Sequence, residues 1–191
     1  MIAQSTSKFQ IENKNIKSIF FEAEEVSNIK IKTQKGDYIK FTSSSEGDYK
    51  DDLYFDYEVK NSELFIKSRY PERLSFGDNK MTSMLVFAVS VELIIPEHLS
   101  LEIVSKIASI EGEGIFNNLI VNTKSGSCEL NPFFGNAIIN TYEGNINIET
   151  KRAEVIAVTQ NGELKIESAL IKTNKLDLRS VNGNIKVMQM E

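Results

Sequence analysis

The chain has 191 residues, 41% hydrophobic and 26% charged, enough to bury roughly 70% of the surface its unfolded form exposes. A formal net charge of −5 argues against a general nucleic-acid binder, which would show a basic stripe, and supports no attraction to anionic lipid. A single cysteine, Cys128, excludes an intramolecular disulfide and a cysteine-built metal site.

The N-terminal stretch MIAQSTSKFQ has neither the charged n-region nor the apolar h-region of a signal peptide. NIKIKTQKGDYIKF (28–41) places Ile29, Ile31 and Thr33 at alternate positions before Gly36. Its next apolar pair, Ile39 and Phe41, stands one place out of the pattern met later, so the stretch reads as an opening coil with a bulge or a different pairing. A polar loop, SSSEGDYKDD (43–52), leads to YFDYEVKNSELFIKS (54–68), two alternating strands that predict a hairpin around Asn61-Ser62. A second long loop, RYPERLSFGDNKMT (69–82), precedes LVFAVSVELII (85–95). The row Leu85, Phe87, Val89, Val91, Leu93 and Ile95 reads as a buried strand, and the run is too short to span a bilayer. No stretch keeps helical spacing.

From residue 101 onward the pattern becomes regular. Gly126, Gly144 and Gly162 are 18 residues apart, and Gly183 follows after 21; stepping back 18 from Gly126 reaches Ala108. Three places before each stands a small hydroxyl residue: Ser105, Thr123, Thr141, Thr159 and Ser180. Before these come Ile103, Val121, Ile139, Ala157 and Leu178, then Leu101, Leu119, Ala137, Val155 and Leu176. After the glycines come Cys128/Leu130, Ile146/Ile148, Leu164/Ile166 and Ile185/Val187. Period-2 alternation inside a fixed repeat means strands in a unit that cannot bury its apolar face alone. Stacked in register, successive copies form internal ladders. Eighteen residues at ~3.3 Å give a perimeter of roughly 60 Å, that of a three-sided, side-chain-filled tube. The glycines mark a corner, where Asn161-Gly162 and Asn182-Gly183 suit a positive φ; hairpin turns are the rival reading of those two pairs. The three extra residues before Gly183 predict a bulge or loop near ALIKTNK (169–175).

The fold class expected is therefore all-β: a parallel β-helix (β-solenoid) with coils of about 18 residues and an irregular, partly hairpinned N-terminal part. One domain spans 1–191, with a cap over 1–100 and regular coils over 101–191.

Chemistry is sparse. The inward Ser/Thr column reads as capping of backbone groups rather than as nucleophiles, because no histidine stands near. His98, the only histidine, follows Pro96 and Glu97 and reads as a solvated turn residue; Cys128 shares an inward column and reads as a small buried hydrophobe. SEGDYKDD and FGDNK match neither the EF-hand spacing nor the nonapeptide calcium repeat. Glycosidases need two carboxylates across a cleft, yet Glu129, Glu143, Glu163 and Asp177 fall in different columns, and such short coils leave little loop to wall a cleft. No catalytic, cofactor-binding or metal-ligating residue is assigned, and no enzyme is expected.

Two places could carry binding. One is the outer coil faces, where Asn122 and Asn140 would stack, beside the corner residues Ser125, Glu143, Asn161 and Asn182. The other is the loop aromatics Tyr49, Tyr54, Tyr57, Tyr70 and Phe76 with Arg69 and Arg73. Some of these aromatics must also cap a solenoid end that would otherwise polymerise through its strand edges.

The order of these parts resembles the bacterial putative-adhesin families of β-strand repeats, including the head domain of putative autotransporter adhesins. The resemblance rests on VELIIPEHLSLEI and on the Thr/Ser-x-x-Gly coils at 119–130, 137–148, 155–166 and 176–187, and covers about residues 25 to 190. Ala108 in place of the first glycine and the lack of a visible signal sequence depart from the pattern. The resemblance implies a right-handed parallel β-helix, envelope association or secretion, and no catalytic residues. The expected function is a non-catalytic envelope or surface binding module whose partner is a protein or glycan. The alternatives are an intracellular or membrane-apposed scaffold in envelope-stress signalling and, third, a carbohydrate-active enzyme. The expected location is the envelope or exterior if a signal peptide is removed, and the cytoplasm otherwise.

Overall fold

The computed structural model describes residues 4–24, 26–46, 54–69, 88–151, 153–167 and 173–190, and these contain fifteen strands and no helix. The fold is all-β and solenoid-like, and its sheet does not close. Inward residues alternate with outward ones as the sequence predicts, because successive side chains of a strand point to opposite faces.

Two hydrogen-bonded ladders run the length of the molecule. Wall A stacks β5 (Tyr54–Lys60), β6 (Glu63–Arg69), β2 (Ser18–Ala23), β8 (Ser100–Ser105), the second half of β9 (Ser109–Ser125), the second half of β10 (Cys128–Glu143), β14 (Lys175–Asn182) and β12 (Glu154–Thr159). Wall B stacks β1 (Gln4–Glu12), β4 (Tyr38–Glu46), β7 (Ala88–Pro96), β3 (Asn28–Gln34), the first halves of β9 and β10, β11 (Ile146–Thr150), β15 (Ile185–Gln189) and β13 (Leu164–Ile166). Pairing is parallel except at β5–β6, β1–β4 and β4–β7. Of the third side expected for a tube, only Gly114-Ile115 with Phe133-Phe134 is paired among the described residues.

The 18-residue offset appears directly as register: Leu101 pairs with Leu119, Asn118 with Asn136, and Cys128 with Ile146. The inward rows form one core, in which Leu119, Val121, Ile139, Ile146, Leu178, Ile185 and Val187 are fully buried.

Coil order departs from chain order at both ends. The β2–β3 coil lies between β6–β7 and β8–β9, and β14–β15 lies between β10–β11 and β12–β13. Expected successive stacking fails here because identical columns make any two coils compatible in register. Spacing specifies which residues align, not which coils are neighbours. The coil at 154–166 therefore ends the stack, and its inward Leu164 and Ile166 remain 50% and 41% exposed. Most of the loop predicted at 169–175 lies outside the described residues.

The stretch 28–41 takes the different pairing rather than the bulge. Ile29 and Ile31 align with Ile110 and Gly112 on wall B, and Gly36 turns the chain into β4. The wall A strand of that coil is β2, SIFFEA, whose Ala23 aligns with Ser105. The hairpin around Asn61-Ser62 forms, with both residues at positive φ as a tight hairpin turn requires. Val89, Val91, Leu93 and Ile95 of β7 are buried, while Leu85 and Phe87 lie outside the described residues.

Candidate binding face

The corner between the walls is built by close approach. A Cβ on Gly126 would meet the carbonyl oxygen of Ala108, one on Gly144 that of Gly126, one on Gly183 that of Gly144, and one on Gly162 that of Gly183. Positive φ is found at Gly126 and Gly144 (104° and 153°) but not at Gly162 or Gly183, where the expected backbone reason is replaced by this contact. Ala108 heads this row of contacts and is itself fully buried.

Four of the five hydroxyls of the column cap backbone, as read. Ser105 Oγ donates to Ala23 O at 2.8 Å, Thr123 Oγ1 to Ser125 O at 2.7 Å, Thr159 Oγ1 to Gly183 O at 2.8 Å and Ser180 Oγ to Gly144 O at 3.2 Å. Thr141 Oγ1 is buried and has no hydrogen-bond partner among the described residues. Cys128 is buried, and burial pushes its thiol up to about 12, so no thiolate is available at neutral pH. His98 lies in the turn after Pro96 and accepts a hydrogen bond at Nε2 from the Asn13 amide, 2.9 Å.

The acidic residues are dispersed. Glu129 faces out from wall B, Glu143 sits at the corner between Ser125 and Asn182, Glu163 precedes β13, and Asp177 lies on wall A. No group of three or more metal-capable side chains occurs among the described residues.

Of the loop aromatics, Tyr49, Tyr70 and Phe76, with Arg73, lie outside the described residues. Tyr57 stacks on Phe9 at 4.3 Å, Phe9 on Phe41 at 4.6 Å, and Phe55 meets Phe41 at 4.8 Å, while Arg69 pairs with Asp56 at 2.7 Å. This cluster closes the end of the core beside β1, β4 and β5. Tyr54 stays half-exposed.

The outer faces of the two walls differ in kind. Wall B presents Lys30, Glu111, Glu129, Asn147 and Lys186 in one row, with Lys32 and Glu113 paired at 2.7 Å. Wall A carries the predicted amide ladder, with the Asn140 amide donating to Asn122 Oδ1 at 2.9 Å, and that row continues to Arg179 and Val158. At the corner Asn161 donates to Asn182 Oδ1 at 2.8 Å. The adjoining row holds Ile120, Ile138, Asp177 and Ile156. Asp177 and Arg179 form a two-point ion pair at 2.9 and 3.0 Å, which holds the carboxyl below its ordinary range and raises the guanidinium.

Two grooves of about 800 Å³ and 780 Å³ lie along this wall, one around Asn140, Tyr142 and Val158, the other around Ile120, Ile138 and Ile156. Sequence reading registered the asparagines and missed the apolar row, although Ile120, Ile138 and Ile156 repeat at the same 18-residue interval. They stand one place out from the inward columns, on the face that period-2 alternation assigns to solvent.

Comparison with known proteins agrees with the architecture. The chain superposes on a putative cell adhesion protein from Clostridium sporogenes with a TM-score of 0.73 at 13% identity, covering 98% of this chain and 100% of that one. A putative adhesin from Bacteroides fragilis is 14% identical over 97% of each chain, with a TM-score of 0.42. No curated protein matches. The Toastrack DUF4097 family matches residues 16–191, nearly the whole chain, including the coils, the corner glycines and every strand but β1, and the chain belongs to that family.

Proposed function

We propose that this protein is a non-catalytic binding module of the cell envelope or cell surface, of adhesin type, and that wall A holds its partner, a protein or a glycan. The observation that carries this reading is the set of exposed apolar side chains on wall A, where Tyr142, Val158 and Ile156 are 50%, 55% and 60% exposed beside the two grooves, on either side of the Asp177–Arg179 pair. An exposed apolar patch rimmed by polar groups on a rigid sheet is the common form of an interaction surface. The similarity to a protein described as a cell adhesion protein supports the same reading. Among the described residues no helix is long and apolar enough to cross a membrane. The winding of the coils is taken as right-handed, the hand that crossovers between parallel strands prefer.

The test is location. The gene product, expressed from its own start codon, is followed by fractionation and by external protease on intact cells. Digestion from outside supports the reading. A protected cytoplasmic pool overturns it and favours an intracellular scaffold.

A further inference from the structure

The groove around Tyr142 is a grid of side chains on four neighbouring strands. Asn122 and Lys124 come from β9, Asn140 and Tyr142 from β10, Arg179 from β14 and Val158 from β12. Strand spacing of about 4.8 Å makes it about 14 Å long, and alternate residues make it about 7 Å wide. The backbone groups of β9, β10 and β14 beneath are committed to the ladders, and among the described residues only the outer edge of β12 is open, so the face of the wall recognises through side chains. A peptide seeking strand pairing would find its partner at that edge, not on this face.

Three features select the ligand. Tyr142 is half-exposed and has no ring partner among the described residues, which leaves an aromatic face free for an apolar face of similar size. Asn122 and Asn140 run beside it as a planar ladder, with the Asn140 amide already oriented by its bond to Asn122. The charged groups lining the groove among the described residues are Lys124 and Arg179, the latter paired with the Asp177 carboxylate beside the groove, in a chain of net charge −5. Lys124 forms no ion pair among the described residues, and Asp177 occupies only two of the N–H groups of Arg179. An aromatic platform, a hydrogen-bonding rim and local positive charge match a pyranose chain, whose rings have apolar faces and hydroxyl edges, bearing carboxylates.

We infer that the Tyr142 groove binds an acidic glycan, with Tyr142 stacking on a sugar ring, Asn122 and Asn140 holding hydroxyls, and Lys124 and Arg179 receiving the carboxylate. This rests on the binding-module reading and adds its ligand class.

The experiment measures binding of the full chain to polygalacturonate and hyaluronate by calorimetry, against methyl-esterified polygalacturonate as the uncharged control. Tyr142→Ala and Lys124→Glu should each weaken binding about tenfold or more with the thermal midpoint unchanged, and raised salt should weaken it further. Lys186→Glu, on the opposite wall, should leave it unchanged. Arg179→Lys, which keeps charge but loses the planar fork, should fall between wild type and Lys124→Glu. Absence of binding to both acidic polymers overturns the inference, as does binding indifferent to Tyr142→Ala and Lys124→Glu, or equal for the ester. Surface exposure without such binding overturns the ligand class and leaves the module reading intact; a cytoplasmic pool overturns the module reading itself.

Discussion

Gly144 lies where the chain leaves wall A, with its α-carbon against the carbonyl of Gly126 and Thr141 Oγ1 3.2 Å from where a Cβ would stand. Backbone, unlike a flexible side chain, cannot yield without disturbing the coil below. Gly144→Val is therefore expected to destabilise the protein by more than ~1 kcal/mol, read from denaturant unfolding, and a neutral result would contradict the corner geometry. The hydroxyl column offers a matched pair. Ser105 Oγ donates to Ala23 O and accepts from the Ala108 N–H at 3.1 Å, so Ser105→Ala should cost about 1–3 kcal/mol by stranding buried backbone groups. Thr141→Val replaces a hydroxyl lacking a described partner with a methyl, and should change stability by less than about 0.5 kcal/mol or raise it. Asp177 and Glu113 are both held below the ordinary carboxylate range, first by hydrogen bonds from Arg179 and Lys32. Their contribution is fully present above the unfolded carboxylate value, about 4, and is lost as pH falls through the lower folded value. Both pairs are exposed, so the acid loss should be small and should shrink in high salt, as urea titrations below pH 4 would show. The corner glycines and hydroxyls were legible because each sits at a fixed distance from the next. The missing partner of Thr141 was not, since its neighbours in the column carry the same hydroxyl and do find one.

Among elements, the clearest division is between the coils and the cap. β8 to β15 follow from local alternation, and a hydroxyl, a glycine and two apolar residues locate each turn of the repeat. The cap depends on distant partners: β1 lies against β4, β4 against β7, and Phe9, Phe21, Phe41 and Phe55 meet from four different strands. β2 escaped sequence reading because SIFFEA stands outside the 18-residue repeat, aligning with β8 across 82 residues of chain. Phe41 is stacked on Phe9, edge-on to Phe21 at 5.9 Å and fully buried. Phe41→Ala should cost about 3–5 kcal/mol in denaturant unfolding, the range for deleting a buried aromatic ring. A loss below ~1 kcal/mol would mean that the cap contributes little to closing the core.

For the whole molecule, coil order has a direct consequence. β14 and β15 are bonded on both sides, whereas β12 and β13 form the end of the stack. Amide hydrogen exchange should therefore be slower across 175–189 than across 154–166, although the former lies nearer the C-terminus. The opposite ranking would restore sequential winding. The exposed Leu164 and Ile166 follow from the same exchange of places: they occupy core columns, but no described coil stacks beyond them.

The amino-acid sequence by itself determined the strands of the regular coils, their inward rows, the 18-residue register and the corner positions, because all of these are local or strictly periodic. Tertiary structure decided what periodicity leaves degenerate. Which coil lies beside which and which strands close the N-terminal end depend on contacts between segments far apart in the chain. Equivalent columns can satisfy those contacts in more than one order, and only packing distinguishes them.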